Sequence, residues 1–301
     1  MKKIIAIFLL AAITAVGWIL FSSSAQSVPV LPERITLYLS AKEEIITIGY
    51  KEYLTGCLLG LDVPSCGQAA LNAAACTISS TVIHSLQNNA ESTLGAQLSD
   101  KQHRWLSVAD AEAIYTEGLK EYLHKAQTAA EYGISHILTY EGEAIYAPQC
   151  RYSTGLTDSG GYPYLPETVI DFDANAEEAI STRAFSSENV LKRMTELTGI
   201  NTLGADRSKW FSGAVYEKSG TLREVRFGGA RVTGYQLQDI FGLRSAAITI
   251  EYSEDRFVFI SKGWGDNMGM SINAAAIMAR KGSTAEEILR FFFPSADIYA
   301  I

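Results

Sequence analysis

The residues whose types suggest chemistry are densest near the C-terminus, in the glycine-rich segment 263–269 with the sequence GWGDNMG. An alternating pattern, DRFVFISKG, predicts a strand before it, and small apolar residues after it predict a helix. Glycines let a backbone approach a ligand closely, and a helix N-terminus favours anions. The segment can therefore present a ligand to backbone N–H groups. It contains neither a GxGxxG motif nor a P-loop lysine, so nucleotide binding is not indicated.

Asp266 is the acidic residue of this segment. Its carboxyl group could act in acid–base chemistry or bind sugar hydroxyl groups, although an aspartate ordinarily titrates far below neutral pH. Asp-Asn pairs also favour turns and left-handed backbone conformations. We favour a turn role for Asp266, with a catalytic role as the alternative.

A second candidate segment is 149–167, QCRYSTGLTDSGGYPYLPE, which is rich in Gly, Ser, Thr and Tyr. This composition suits a loop that faces carbohydrate, and it also suits a plain connector. Both interpretations stay open.

The elements that must position these loops mix helices with strands of the antiparallel kind, without regular βαβ alternation, so the predicted fold class is α+β. Strands are predicted over 35–40, 44–50, 213–219, 221–229, 230–234, 245–253 and 255–263, with a hairpin over 136–148. Helices are predicted over 50–61, 68–86, 108–133, 187–199, 235–242 and 284–293. Capping boxes are predicted at Ser65 with Gln68 and at Ser283 with Glu286.

The N-terminus carries an export signal: Lys2 and Lys3 precede an uncharged apolar run from Ile4 to Phe21. We favour an uncleaved transmembrane anchor over residues 1–26, because the apolar run is long enough to span a membrane. The two lysines are expected to stay in the cytoplasm, which places a linker over 27–34 and a domain over 35–301 outside the membrane. The alternative is a cleaved signal peptide and a secreted protein.

Composition narrows the function further. The 25 Lys and Arg against 33 Asp and Glu give a net charge of -8, which excludes nucleic acid as the expected partner. Four cysteines are too few for a disulfide-built scaffold and lack zinc spacing. We favour buried free thiols, while a bridge from Cys66 to Cys57 or Cys76 stays open; the fourth cysteine is Cys150.

The segment GWGDNMGMSINAAAIMARKGSTAEEILRFFFPSADI resembles the C-terminal signature of the stage II sporulation protein D and amidase-enhancer family, in which Gly-Trp-Gly-His-Gly-Val-Gly-Met-Ser leads into an Ala-rich helix. Three upstream segments match the family in unbroken order: GGARVTGYQLQDIFGLRSAAITI, HILTYEGEAIYAPQCRYSTGLTD and EYLTGCLLGLDVPSCGQAALNAAACTISS. The resemblance covers the chain from about residue 35 to its end and includes the N-terminal anchor. We identify the chain as a divergent member.

The resemblance implies the family's α+β fold and action on peptidoglycan. Family members are similar to lytic transglycosylases, in which one Glu protonates the glycosidic oxygen and a hydroxyl group of the sugar closes an anhydro ring. Such a general acid needs a carboxyl group whose pKa is raised by burial. The implied partners are glycan strands, the membrane and other cell-wall hydrolases of engulfment; no cofactor is implied.

Two departures from the family affect this chemistry. The alignment places Leu61 at the family's catalytic Glu, with Asp62 next to it, and Asp266 at the family's His. Asp is shorter than Glu by about 1.5 Å, and a misplacement of about 1 Å can cost roughly 100-fold in rate. Asp62 can instead hydrogen-bond backbone groups in a turn. Two hypotheses follow: a transglycosylase that uses Asp62 or Asp266, or a catalytically inactive glycan-binding or scaffold homologue.

The resemblance also implies substrate-binding residues. Arg244 is included because Gln238 replaces an arginine common in the family. His103 lacks the neighbouring cysteines that hold zinc in some relatives, so we expect no metal site. His84, His124 and His136 are expected to pack or to lie at the surface. The implied substrate-binding residues are Ser153, Gly155, Thr157, Arg244, Trp264, Gly265, Gly269 and Ser271.

Overall fold

The computed structural model describes residues 30–88 and 95–301, and it has the predicted α+β architecture of helices with mainly antiparallel sheets. The predicted anchor over 1–26 lies outside the described residues. Within them, the helix Gln68–Gln87 is long and apolar enough to cross a membrane, but most of it is buried inside the protein. It is therefore a core helix.

The first hydrophobic core is built by the N-terminal and C-terminal parts of the chain around that helix. Its alanine-rich sequence allows neighbouring helices to pack closely on it. Two three-stranded sheets flank it, with orders β2-β1-β3 and β14-β4-β5. The elements are β1 Arg34–Leu39, β2 Glu44–Gly49, α1 Tyr50–Gly60, α2 Gln68–Gln87, β3 Leu98–Ser99, α3 Val108–Ile114, α4 Leu119–Ser135, β4 His136–Tyr140, β5 Glu143–Ala144, β6 Gln149–Cys150, α5 Asp171–Ala174, β13 Met270–Ser271, α8 Ile272–Arg280, α9 Ala285–Phe292 and β14 Asp297–Ala300.

The second core lies between these two parts of the chain and is rich in phenylalanine. Phe185, Phe211, Phe241, Phe257 and Phe259 contact one another as tilted, edge-to-face or stacked rings. Two antiparallel sheets with orders β10-β9-β8 and β11-β12-β7 enclose them. The elements are β7 Ile180–Ser186, α6 Ser187–Thr198, β8 Phe211–Tyr216, β9 Leu222–Phe227, β10 Ala230–Val232, α7 Gly234–Phe241, β11 Ile248–Ser253 and β12 Arg256–Lys262.

Several predicted boundaries are wrong. Helix α2 begins after Gly67 without a side-chain cap, so the capping box at Ser65 does not form. The C-terminal box lies one residue later than predicted, at Thr284 with Glu287. The helix predicted over 108–133 is two helices, because Gly118 adopts a left-handed conformation with a φ of 73° and α4 starts there.

All four cysteines are buried free thiols, so the favoured interpretation is confirmed and neither bridge forms. Burial raises the pKa of the Cys57 and Cys76 thiols to about 12. These groups pack as small apolar side chains.

Candidate functional site

The glycine-rich segment joins the two cores, because it leaves β12 of the second core and enters β13 and α8 of the first. Its backbone has positive φ at alternate residues, with 89° at Gly263, 114° at Gly265, 58° at Asn267 and 66° at Gly269. A Cβ atom at Gly269 would overlap the carbonyl oxygen of Pro148. The glycines therefore serve a close approach to the residues around β6.

The first three backbone N–H groups of this segment, and that of Met270 directly after it, are already bonded within the protein. Gly263 N donates to Ala179 O and Trp264 N donates to Tyr152 O, both at 2.8 Å. Gly265 N donates to the carbonyl oxygen of Arg244 at 2.8 Å, and Met270 N to that of Pro148 at 3.0 Å. The expectation that these N–H groups are presented to a ligand is wrong for these four residues.

Asn267 joins the glycine-rich segment to the loop after β6. It is 3% exposed, and its Oδ1 accepts a hydrogen bond from Thr154 N at 2.9 Å. Its Nδ2 donates to Leu156 O at 3.0 Å and to Asp158 Oδ2 at 3.2 Å. A third acceptor, Thr221 Oγ1 of the second core, lies at 3.4 Å. The left-handed conformation that we expected for a turn at Asp266 occurs one residue later, at Asn267, with a φ of 58°.

The loop after β6 is held by a second buried polar group, Asp173 of α5. Its Oδ2 accepts hydrogen bonds from the backbone N and the Oγ of Ser153, both at 2.8 Å, and its Oδ1 accepts one from Asn273 at 2.9 Å. Ser153 and Asp173 are fully buried. This part of the loop therefore positions other residues instead of facing solvent.

Three adjoining pockets form a cleft beside the glycine-rich segment, and each is named here after one lining residue. The Asp266 pocket has a volume of about 340 Å³, the Leu61 pocket about 410 Å³ and the Asp62 pocket about 240 Å³. The first two share Lys101, Gln102, His103 and Gln149, and the last two share Arg151. The cleft thus passes the position at which the resemblance places the catalytic Glu.

The Leu61 pocket is lined by cations and by Trp264. Leu61 is the C-terminal cap residue of α1, and its carbonyl oxygen accepts a hydrogen bond from Arg151 Nη1 at 3.4 Å. The guanidinium carbons of Arg151 and Arg244 lie 4.6 and 4.3 Å from the Trp264 ring centroid. The indole therefore orients two guanidinium groups by cation–π contacts.

Asp266 lines the neighbouring pocket with Tyr146 and His103. Its side chain reaches solvent, yet the surrounding protein atoms desolvate it, and this burial, with the negative charge of Asp239, raises the pKa of its carboxyl group. Tyr235 donates a hydrogen bond to its backbone oxygen at 3.2 Å. A carboxyl group with a raised pKa in a cleft can hold a proton for transfer.

Asp62 lies in the third pocket, on the other side of Leu61. Its backbone is left-handed with a φ of 57°, as is common after the C-terminus of a helix. Its carboxylate lies 3.5 Å from Arg151 Nη1. Asp62 and Asp266 thus line two different pockets of the cleft.

His103 lines both the Leu61 and the Asp266 pockets, and burial lowers its pKa to about 4, so its imidazole is neutral at physiological pH. Across residues 30–88 and 95–301, no group of three His, Cys, Asp or Glu side chains has a metal-binding arrangement. His84 Nδ1 donates a hydrogen bond to Ala144 O of β5 at 2.9 Å, and His136 stacks on Tyr132.

The cleft receives only part of the substrate-binding set that the resemblance implies. Trp264 and Gly265 line the Leu61 pocket, and Arg244 contacts Trp264. The other five residues pack against protein: Ser153, Gly155, Thr157, Gly269 and Ser271. Ser271, for example, is fully buried, and its Oγ caps α8 by accepting a hydrogen bond from Ala274 N.

Sequence reasoning missed the basic residues of the cleft, Lys101, Arg104 and Arg151. Arg151 lies inside the quoted loop motif, directly after Cys150, so its place in the motif is a signal that could have identified it. Lys101 and Arg104 flank His103 in the segment considered only for zinc. Charge as well as metal-ligand spacing is thus informative in that segment.

Comparison with known proteins agrees with the motifs that carry the resemblance. No family profile matches the chain. Stage II sporulation protein D of Bacillus subtilis (strain 168) is 22% identical over 296 residues, which cover 95% of this chain and 84% of that protein. Stage II sporulation protein D of Bacillus amyloliquefaciens is 22% identical over 278 residues, 89% of this chain and 79% of that protein. Since both matches run along nearly the whole chain, the protein is similar to stage II sporulation protein D over almost its full length.

Proposed function

We propose that this chain is a sporulation-related protein that binds peptidoglycan glycan strands in the cell envelope without cleaving them. The names of both relatives support the link to sporulation. One observation carries the absence of cleavage: Leu61, at the position implied for the catalytic Glu, lines a pocket whose described lining contains no carboxylate. An apolar side chain cannot protonate a glycosidic oxygen.

The proposed setting is the outer face of the cell membrane. Residues 1–26 anchor the chain, 27–34 form a linker, and the domain over 35–301 meets glycan strands and other cell-wall hydrolases of engulfment. A secreted form that follows signal cleavage is the alternative. The positive charges before the apolar run and the absence of charge within it support the anchored form.

A second candidate is a transglycosylase in which Asp266 is the general acid. The raised pKa of Asp266 favours this candidate, because a general acid must hold its proton until it donates it. A single carboxyl group is enough, since closure of an anhydro ring needs no second carboxylate to activate water. Asp62 is the weaker choice, since its carboxylate lies beside Arg151 in a separate pocket.

The test uses purified residues 27–301 and isolated glycan strands. We expect the protein to co-sediment with strands and to release no anhydro-sugar ends. Leu61→Trp should reduce co-sedimentation, because the larger side chain fills the Leu61 pocket. Val169→Trp is the matched control, since Val169 is 65% exposed and lines none of the three pockets.

Release of anhydro-sugar ends that Asp266→Asn abolishes and Asp297→Asn leaves intact would establish the second candidate. Failure of the unmodified protein both to co-sediment with strands and to release anhydro-sugar ends would remove both proposals. Equal loss of co-sedimentation in the two tryptophan variants would show that the cleft is not the binding site.

A further inference from the structure

The Leu61 pocket has a charge opposite to that of the whole protein. The chain carries a net charge of -8, yet Lys101, Arg104 and Arg151 line this pocket, and its described lining contains no Asp or Glu. His103 adds no charge, because burial keeps its imidazole neutral. A concentrated positive patch on an acidic protein attracts anions locally against the overall field.

Arg151 in the pocket and Arg244 beside it are held in place before any ligand arrives. Trp264 contacts the guanidinium groups of both Arg151 and Arg244, and Arg151 also donates to Leu61 O. Gly60 packs so closely on the Arg104 carbonyl that a Cβ atom there would overlap it, and this contact fixes the backbone of Arg104 at the edge of the pocket. Such preorganisation lowers the ordering cost of binding.

Two carboxylates lie near enough to oppose this charge. Asp62 is 3.5 Å from Arg151, and Asp266 follows Gly265 into the next pocket. These two negative charges are outnumbered by the three cations of the lining and by Arg244, which contacts Trp264. The balance around Leu61 is therefore positive, and the rigid fork of an arginine suits an oxyanion with two oxygens in one plane.

We infer that the Leu61 pocket binds an oxyanion carried by a saccharide, either a carboxylate or a phosphate. The inference rests on the proposed function, because it names the chemical feature of the strand that the cleft recognises. The contacts are charge-assisted hydrogen bonds from Arg104 and Arg151 to the anion, while Lys101 adds a point charge. The sugar ring occupies the adjoining cleft.

The test measures binding of three probes to the full-length chain in a mild detergent. N-acetylmuramic acid supplies a carboxylate, N-acetylglucosamine 6-phosphate supplies a phosphate, and N-acetylglucosamine is the neutral control. We expect at least one charged probe to bind about tenfold or more tightly than the neutral sugar, since a hydrogen bond to a charged group is worth that much. Comparison of the two charged probes identifies the anion. The preference should shrink at about 1 M salt.

Arg104→Gln should lose about tenfold in affinity for the favoured charged probe, whereas Arg223→Gln should bind it normally. Arg223 is a suitable control because its side chain is 62% exposed and pairs with Glu217, away from the cleft. Lys101→Gln gives a second pocket variant with an exposed side chain, and its affinity should also fall.

Equal binding of all three probes, no binding of any probe, or equal affinities of Arg104→Gln and Arg223→Gln for the charged probe would overturn the inference. The proposed function fails separately. Strand co-sedimentation without a preference for charged probes refutes only the inference, whereas a charged-probe preference without strand binding supports the inference and refutes the proposed function.

Discussion

Substitutions at Asn267 separate its two roles, the left-handed turn and the buried hydrogen bonds. Alanine removes the side-chain amide and keeps the positive φ of 58°. Glycine also removes the amide but adopts that φ without strain. Aspartate keeps an acceptor for Thr154 N and loses the donors to Leu156 O and Asp158 Oδ2. The three variants therefore differ in which contribution each one removes.

The magnitude follows from which partners are left without a hydrogen bond. Leu156 O still accepts from Thr154 Oγ1, and Asp158 Oδ2 still accepts from Thr221 Oγ1. The backbone N–H of Thr154 loses its acceptor, which costs about 1–3 kcal/mol for a buried group. The left-handed conformation adds about 1–2 kcal/mol for alanine. We expect the free energy of unfolding to fall by about 2–5 kcal/mol in Asn267→Ala and by about 1–3 kcal/mol in Asn267→Gly.

Asn267→Asp should show a dependence on pH that the other two variants lack. The new carboxylate lies beside Asp158, and two like charges raise the pKa of the pair in the folded state. A folded-state pKa above the unfolded value means that stability is lost as pH rises through it. The deficit of this variant against the unmodified protein should thus be greatest at pH 7 and should shrink towards pH 3.

The assay is urea unfolding of residues 27–301, followed by both tryptophan fluorescence and circular dichroism. Asn201→Ala is the control, because Asn201 is exposed and its loss should change stability by less than about 0.5 kcal/mol. Equal stabilities of Asn267→Ala and Asn267→Gly would refute the argument from left-handed strain. A loss below about 1 kcal/mol in both would refute the argument from the buried Thr154 N–H.

Three further predictions concern the carboxyl group of Asp266, the close packing at Gly60 and the four buried thiols. In thermal unfolding, Asp266→Asn should stabilise the protein at pH 7 and leave its stability unchanged near pH 3. The pKa of Asp266 is raised in the folded state, so its ionised form destabilises the fold, and this penalty vanishes as pH falls below the pKa of the unfolded state. A stabilisation that grows at acid pH would contradict this reasoning. Gly60→Ala should lower stability by about 1–3 kcal/mol through overlap with the Arg104 carbonyl, whereas Gly49→Ala, with open space around its Cβ position, should cost less. The native protein should resist iodoacetamide at all four cysteines and react in urea, because burial raises the pKa of each thiol and shields it; rapid native modification followed by mass spectrometry would refute this.

Element types followed from local patterns, whereas exact helix starts did not. The pairs Ser283 with Glu286 and Thr284 with Glu287 have the same spacing, so the sequence offers two capping boxes one residue apart. Burial of Ile288, Leu289 and Phe292 fixes the rotation of α9, and the second box forms. Strand β14 escaped prediction because its pairing partner β4 lies far away in the sequence.

At the candidate site, too, the sequence predicted local features but not the contacts between distant segments. The density of glycine predicted a close backbone approach, and the segment makes one to Pro148, with positive φ angles at alternate residues. The fate of the backbone N–H groups could not be predicted, because their acceptors Ala179, Tyr152, Arg244 and Pro148 come from distant parts of the chain. The basic lining of the Leu61 pocket combines Lys101 and Arg104 from one segment with Arg151 from another, so local charge alone could not show that the three line one pocket.

The replacement of the family's Glu by Leu61 and the charge of the surrounding pocket support each other physically. A carboxyl group at position 61 would lie among Lys101, Arg104 and Arg151, and nearby cations favour the ionised form of a carboxyl group. An ionised group cannot serve as a proton donor, so a glutamate placed in this setting would bind the cations instead of acting as a general acid. The raised pKa of Asp266 arises in the adjoining pocket, where burial and Asp239 replace the cations as the main influences. Within one cleft, therefore, the Leu61 pocket is suited to holding an anion, and the Asp266 pocket is the place where a proton could be held.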